Sequence, residues 1–239
     1  MTWKPELEEL ARRAELAKEM GGAERVARAR EAGRLTVRER IERLLDAGSF
    51  HETGILAGRA EYDEAGNLKA FTPSNFVCGR GRIDGRPVVV GGDDFTVRGG
   101  AADGAIGNKM GWAEKAARDL RLPLVRLVDG TGGGGSVKNL EMLGYSPMPK
   151  AFLWDTWTDN LGEVPVVSLA LGSVAGLGSA RLVASHYCLM TKETSAMFVA
   201  GPPVVKRLGQ DLTKQELGGW EIQTRCGAVP FELPTPCLG

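Results

Sequence analysis

Apolar positions in the first 48 residues recur at helical spacing and are interrupted by glycine. Residues 5–20 are rich in Glu, Leu, Ala, Arg and Lys, strong helix formers that predict one helix. Gly21-Gly22 breaks it, a second short helix reaches about Ala32, and Gly33 stops that one. Thr36-x-x-Glu39 forms a capping box. Behind it Val37, Ile41, Leu44 and Leu45 share a face, predicting a third helix that closes at Gly48. The apolar face of this N-terminal arm needs something to pack on.

From Phe50 onward the pattern shifts to short apolar runs. Residues 76–82, 87–90 and 95–98 predict strands, and Asp84-Gly85 between the first two is a hairpin signal. The stretch 61–69 predicts an exposed turn. Residues 101–120 predict a helix, with Ile106, Met110, Ala113, Ala117 and Leu120 roughly in phase. Strand, loop and helix then recur after Pro123 and again after Val164. Two more strands are expected at 187–190 and 195–199, and a helix opened by Pro202. The repeated β-β-α texture implies one α/β domain with helices outside a sheet.

Two glycine-bearing loops follow buried strand candidates. The first is Asp129-Gly-Thr-Gly-Gly-Gly-Gly135; the second is Gly172-Ser-Val-Ala-Gly-Leu-Gly178. Glycine lets successive N–H groups converge on one point, which makes an anion nest. Loops directly after the strands of an α/β sheet are where such sheets bind ligands. Facing nests would hold the oxyanion of a thioester enolate, and in acyl chemistry that stabilisation is often the main source of rate enhancement. The small residues Ala175, Gly178, Ser179 and Ala180 permit close approach, and a following helix N-terminus favours negative charge. The competing reading of each loop is a plain surface connection. Neither the phosphate-loop pattern G-x-x-x-x-G-K-[ST] nor the dinucleotide pattern G-x-G-x-x-G is met after Val128.

Charge and composition narrow the chemistry. Thirty basic residues balance thirty acidic ones, which gives no support for nucleic-acid binding. Arg25, Arg28, Arg30, Arg34, Arg38, Arg40 and Arg43 interleave with Glu24, Glu31, Glu39 and Glu42, a pattern that predicts a solvated helix face. No apolar run is long enough to span a membrane, and the charged N-terminus lacks a signal-peptide pattern, so a cytoplasmic location is expected. Cys78, Cys188, Cys226 and Cys237 form no C-x-x-C pair, so neither structural zinc nor any other metal is expected. With only His51 and His186 available, a histidine triad is disfavoured and catalysis shifts toward the backbone nests.

Several motifs together resemble the carboxyltransferase subunits of biotin-dependent acyl-CoA carboxylases. They are Gly79-x-Gly81-x-Ile-Asp84-Gly-Arg-Pro-Val, Asp94-Phe-Thr-Val-x-Gly-Gly100 and Gly107-x-Lys109. The arm Ala32-Gly-Arg-Leu-Thr-Val-Arg-Glu-Arg-Ile-x-x-Leu-Leu-Asp-x-Gly-Ser-Phe50, Met197-Phe-x-x-Gly-Pro202 and Glu216-Leu-Gly-Gly219 add to them. The resemblance implies a crotonase-like (ClpP/crotonase) spiral of β-β-α units, with residues 1–48 as a helical arm and 49–228 as the acyl-CoA-binding half. It implies an oxyanion hole from the backbone N–H groups of Gly176 and Leu177, where the family usually has glycine at 177. Gly133, Gly134 and Gly178 would line the substrate, and Arg98 and Lys109 are candidate contacts to it.

The family's Asp-Ser-Gly-Gly-Ala-Arg loop is altered here: the Asp and glycines remain, the Arg is lost and the spacing shifts. Biotin would arrive on a partner, since no Met-Lys-Met attachment site or ATP signature occurs. The implied partners are a biotin carboxyl carrier protein, a biotin carboxylase, a C-terminal carboxyltransferase half and further copies of this chain in a homo-oligomer. Residues 229–239, with three prolines, have no family counterpart and read as a divergent tail, from a two-gene arrangement or a truncated product. Two other readings stay open: a non-catalytic binding or scaffold subunit, and another crotonase-type acyl-CoA enzyme such as a decarboxylase, hydratase or isomerase. A hydratase would need a positioned carboxylate, and neither the second loop nor residues 179–190 supply one.

Overall fold

A computed structural model describes residues 2–101, 109–130, 141, 144 and 152–234. The arm forms three helices, α1 (Lys4–Lys18), α2 (Ala23–Glu31) and α3 (Val37–Leu44). Thr36 and Glu39 cap α3 reciprocally, as their spacing predicts. Val37, Ile41 and Leu45 then pack on Val77, Val88, Val90 and Leu127 of the sheet beneath. The arm's apolar face is thus one wall of the main core.

That sheet has seven strands in the order β1 (His51–Glu52), β4 (Phe76–Ile83), β5 (Arg86–Asp93), β6 (Leu124–Val128), β7 (Val166–Ala170), β9 (Tyr187–Thr191) and β11 (Phe231–Leu233). β1, β4 and β5 pair antiparallel, and every pair from β5 to β11 is parallel. Asp84 and Gly85 turn the β4–β5 hairpin with φ of 50° and 76°, the left-handed pair that such a turn requires. On the opposite face α4 (Met110–Leu120) sets Ala113 and Ala117 against Phe76, Val89, Leu124 and Val166. Beside it runs α5 (Phe152–Glu163).

Two small sheets complete the fold. β2 (Gly58–Tyr62) and β3 (Leu68–Pro73) form a hairpin, and β8 (Ser173–Ala175) pairs parallel with β10 (Ala196–Phe198). Four short helices follow the chain downstream: α6 (Leu177–Val183), α7 (Pro202–Lys206), α8 (Lys214–Gly218) and α9 (Trp220–Arg225).

Two sequence expectations need correction. The stretch 61–69 holds parts of two strands as well as a turn, in which the Asp63 carboxylate accepts the N–H groups of Ala65 and Asn67 at 3.0 and 2.8 Å. Residues 95–98 form no strand. The Asp94 carboxylate takes both the N–H and the hydroxyl of Thr96, at 3.0 and 2.6 Å, and curls the chain into a 3₁₀ turn at Arg98–Gly100. Of the helix expected over 101–120, the part from Met110 is observed, and 102–108 lie outside the described residues.

Candidate active site

The glycine loops leave the sheet at the carboxyl ends of β6 and β7, neighbours in register from Leu124↔Val166 to Val128↔Ala170. Asp129, the first residue after β6, is buried. Its carboxylate accepts from Arg34 through both oxygens and from Arg40 Nη1 at 2.7 Å, while its own N–H donates to Asp93 Oδ2 at 3.0 Å. Arg40 Nη2 donates in turn to the Leu171 carbonyl, at the start of the second loop, at 3.1 Å. One guanidinium therefore ties both loops. The Ala175 N–H adds a direct link to the Gly130 carbonyl at 3.4 Å.

Of the arm's arginines, Arg25, Arg28, Arg30 and Arg43 lie on the expected solvated face, whereas Arg34 and Arg38 are half-buried and Arg40 departs from the expectation. Arg40 is 1 % exposed, because it shares its face of α3 with Val37, Ile41 and Leu44 and is carried into the core with them. Its charge is tolerated there because Asp129 neutralises it. A glycine is needed at 172 for the same reason: a Cβ there would run into the Asp129 carboxylate and the Arg34 guanidinium.

In the second loop, β8 is held by β10 and the chain reverses at Gly176, with φ 57° and ψ −123°. Few residues with a side chain adopt that conformation. The Gly176 N–H is already shared between the carbonyls of Phe198 and Val199, at 3.2 and 3.1 Å. Ser179 Oγ donates to the Phe198 carbonyl at 3.0 Å, fixing the first turn of α6 to β10. Leu177 and Gly178 occupy the first two positions of α6, whose N–H groups have no acceptor within a helix. Among the described residues neither has one elsewhere. The amides left open are thus those of Leu177 and Gly178.

Further along α6, Arg181 is 2 % exposed and donates to Asp93 Oδ2 at 2.5 Å. Burial pushes the Asp93 carboxyl above its ordinary range, and Arg181 and the Asp129 N–H pull it back. Arg34, Arg40, Asp129, Asp93 and Arg181 form one continuous network, buried except at the half-buried Arg34, that runs from the arm to α6. Sequence reasoning named none of them as site residues. The one available signal was the phase of Arg40 with the apolar face of α3.

The remaining expected residues are dispersed. Gly133 and Gly134 lie outside the described residues. Arg98 is exposed on its 3₁₀ turn and lines a cleft of about 620 Å³ with Met20, Arg25 and Phe71. The last residue of that turn, Gly100, packs on the backbone of Asp129 and Gly130. Lys109 is buried, and its ammonium pairs with Glu52 at 3.0 Å. That pair sits by β1 and β4, three strands from β7, or roughly 14 Å at the usual strand spacing.

Residues 28–229 match the model of the carboxyl transferase domain. The chain belongs to that family. It is 36 % identical over 213 residues to the mitochondrial propionyl-CoA carboxylase beta chain of Homo sapiens, covering 87 % of this chain and 38 % of that protein. It is 34 % identical over 223 residues to the methylmalonyl-CoA carboxyltransferase 12S subunit of Propionibacterium freudenreichii, covering 92 % and 41 %. The chain thus spans about two fifths of the length of these curated relatives.

Among solved structures, the transcarboxylase 12S core with methylmalonyl-coenzyme A and methylmalonic acid bound superposes with a TM-score of 0.79 at 29 % identity, over 100 % of this chain and 46 % of that one. A Pseudomonas malonate decarboxylase heterodimer matches with a TM-score of 0.61 at 25 % identity, over 84 % of this chain and 80 % of that one. The fold is the crotonase-like fold of the carboxyltransferases, as the motifs led us to expect. Among the described residues no helix is long and apolar enough to cross a membrane.

Proposed function

We propose that this chain is the acyl-CoA-binding half of a biotin-dependent carboxyltransferase. The observation that carries the reading is the pair of open amides at Leu177 and Gly178, at the mouth of β7, in a chain similar to a carboxyltransferase that holds methylmalonyl-coenzyme A. In this reading the thioester carbonyl oxygen lies on those amides, and they stabilise the negative charge that develops when the α-proton leaves. A preorganised donor of this kind contributes about 3–4 kcal/mol at the transition state. Gly176 then acts by shaping the turn, because Phe198 and Val199 already occupy its N–H. Arg98, Lys109, Gly133 and Gly134 stay proposals as substrate contacts.

The amides fit one oxyanion, that of the thioester, so we assign the biotin ring to a second carboxyltransferase half. Carboxybiotin, delivered by a carrier protein and loaded by a biotin carboxylase, supplies the carboxyl group. The chain's own residues bind the thioester, orient its α-carbon and hold the enolate oxygen. Residues 1–48 serve as the arm that locks the loops, 49–228 as the binding domain and 229–239 as its divergent tail. We place the assembly, a homo-oligomer, in the cytoplasm.

Titration of the full chain with acetyl-CoA and propionyl-CoA, with free biotin as control, tests this reading. Saturable thioester binding without biotin binding is the expected result, and absence of binding to both thioesters sinks it. Leu177→Pro sharpens the test. Proline is accepted at the first helical position but carries no N–H. Once the second half is supplied, this variant should lose about 100-fold in carboxyl transfer, while Leu177→Ala keeps the donor and most of the rate.

One observation favours a second reading. The malonate decarboxylase chain is matched over 80 % of its own length, against 46 % for the transcarboxylase chain. The same amides would then hold the enolate left by loss of CO₂ from a malonyl thioester. Biotin-independent CO₂ release from malonyl-CoA decides for it.

A further inference from the structure

Arg126 lies on β6 and is buried with its counter-ion Glu114 of α4, each 2 % exposed. Two of its nitrogens, Nε and Nη2, donate to the two Glu114 oxygens at 2.8 and 2.9 Å. The third, Nη1, reaches α6, donating to the carbonyls of Arg181 and Ala184 at 2.9 and 2.5 Å. Asn160 of α5 holds Glu114 in place through its backbone oxygen at 3.0 Å and Oε2 at 3.2 Å. The Trp157 ring lies 5.7 Å from the guanidinium.

The grip falls on the end of α6 opposite the open amides. α6 has seven residues, about 10 Å at the usual rise, so its two ends move as one body. A cation at a helix C-terminus also complements the exposed carbonyls there. Stability alone does not call for this arrangement, since an apolar pair of the same volume often does as well in a core. Neither residue touches Leu177 or Gly178, and neither belongs to the motifs that carry the family likeness.

We propose that Arg126, held by Glu114, is a positioning residue that aims the amides of Leu177 and Gly178 by anchoring the far end of α6. The proposal rests on the acyl-CoA reading for its purpose, but its geometry is tested without ligand.

The experiment replaces the ion pair with an apolar pair, Arg126→Met with Glu114→Met, in the full chain. Expected are a cooperative fold with a thermal midpoint at or above that of the wild type and displaced amide resonances of Leu177 and Gly178. Affinity for propionyl-CoA falls about tenfold or more. Val88→Ala, a core change away from the loops, leaves those two amides in place. A folded double variant with unmoved Leu177 and Gly178 amides overturns the proposal. If the double variant does not fold, Arg126→Lys keeps the charge but cannot span Glu114 and two carbonyls at once, and unmoved amides there overturn it equally. Should the wild type bind no thioester, the acyl-CoA reading fails while the amide readout still decides the positioning.

Discussion

Asp129 and Glu52 have nearly the same chemistry and quite different consequences. Each carboxylate is held by two cations, and α3 supplies one to each. Arg38 reaches Glu52 at 2.8 Å, and Arg40, two residues on, reaches Asp129 at 2.7 Å. Lys109 completes the first cluster and Arg34 the second. Glu52 joins the edge strand β1 to the start of α4 and keeps 11 % of its side chain exposed. Asp129 keeps 3 %, and its partner Arg40 also holds the Leu171 carbonyl. The comparison teaches that a buried ion pair matters through what else its members grip. One cluster fastens an edge; the other joins the two loops of the proposed site.

The largest effect should come from breaking the second cluster. Asp129→Ala leaves the buried Arg40 and the half-buried Arg34 without a counter-ion and should cost about 3–5 kcal/mol in urea denaturation. Glu52→Ala strands the buried Lys109 ammonium but leaves Arg38 within reach of water, and should cost less, about 2–3 kcal/mol. Equal losses would erase the difference between the two clusters. A smaller effect is expected from Gly172→Ala, whose added methyl meets Asp129 and Arg34 and should destabilise by about 1–3 kcal/mol. Its thioester affinity should fall as well, because the same network shapes the second loop.

The smallest effect concerns Asp94, beside the same cluster. Burial raises its pKa, against the hydrogen bonds from Thr96 and the pull of Arg38. A carboxyl raised in the folded state binds its proton more tightly there than in the unfolded chain. Its contribution to stability is therefore full below the unfolded pKa and is lost as pH rises through the folded one. Asp94→Asn, neutral throughout and still an acceptor for Thr96, should melt higher than the wild type at pH 7. The gain should shrink toward pH 4 in a melting series, and a gain that grew on acidification would contradict the assignment.

How much of the fold is legible in the sequence depends on whether the signal is local. The α3 capping box needs only Thr36 and Glu39, and the β4–β5 turn only Asp84 and Gly85; both form as those residues imply. The continuous apolar runs of β6 and β7 announce buried parallel strands. β2 and β3 are hidden because their hairpin is only partly buried and its inward positions Leu68, Phe71 and Pro73 do not alternate along the chain. Residues 95–98 mislead because Phe95 and Val97 alternate like a strand, while the deciding bond comes from the Asp94 side chain.

At the site, the glycines mark the place but not the donors. Whether Gly176 or Gly178 offers its N–H depends on carbonyls at Phe198 and Val199, more than twenty residues away. Arg126 in an apolar run declares a buried charge without naming its partner.

The bond from Arg40 to Asp129 spans 89 residues of chain. At the usual pace of translation, about 5–20 residues per second, Arg40 emerges roughly 4–18 s before the carboxylate it is to meet. During that interval Arg40 is a cation that water must hold, while Arg38 of the same helix can already meet Glu52. The guanidinium that ties the two glycine loops can therefore engage both only after Leu171 has emerged as well. A nascent chain halted before Asp129 would display the leading helices with no trace of the site they will later lock.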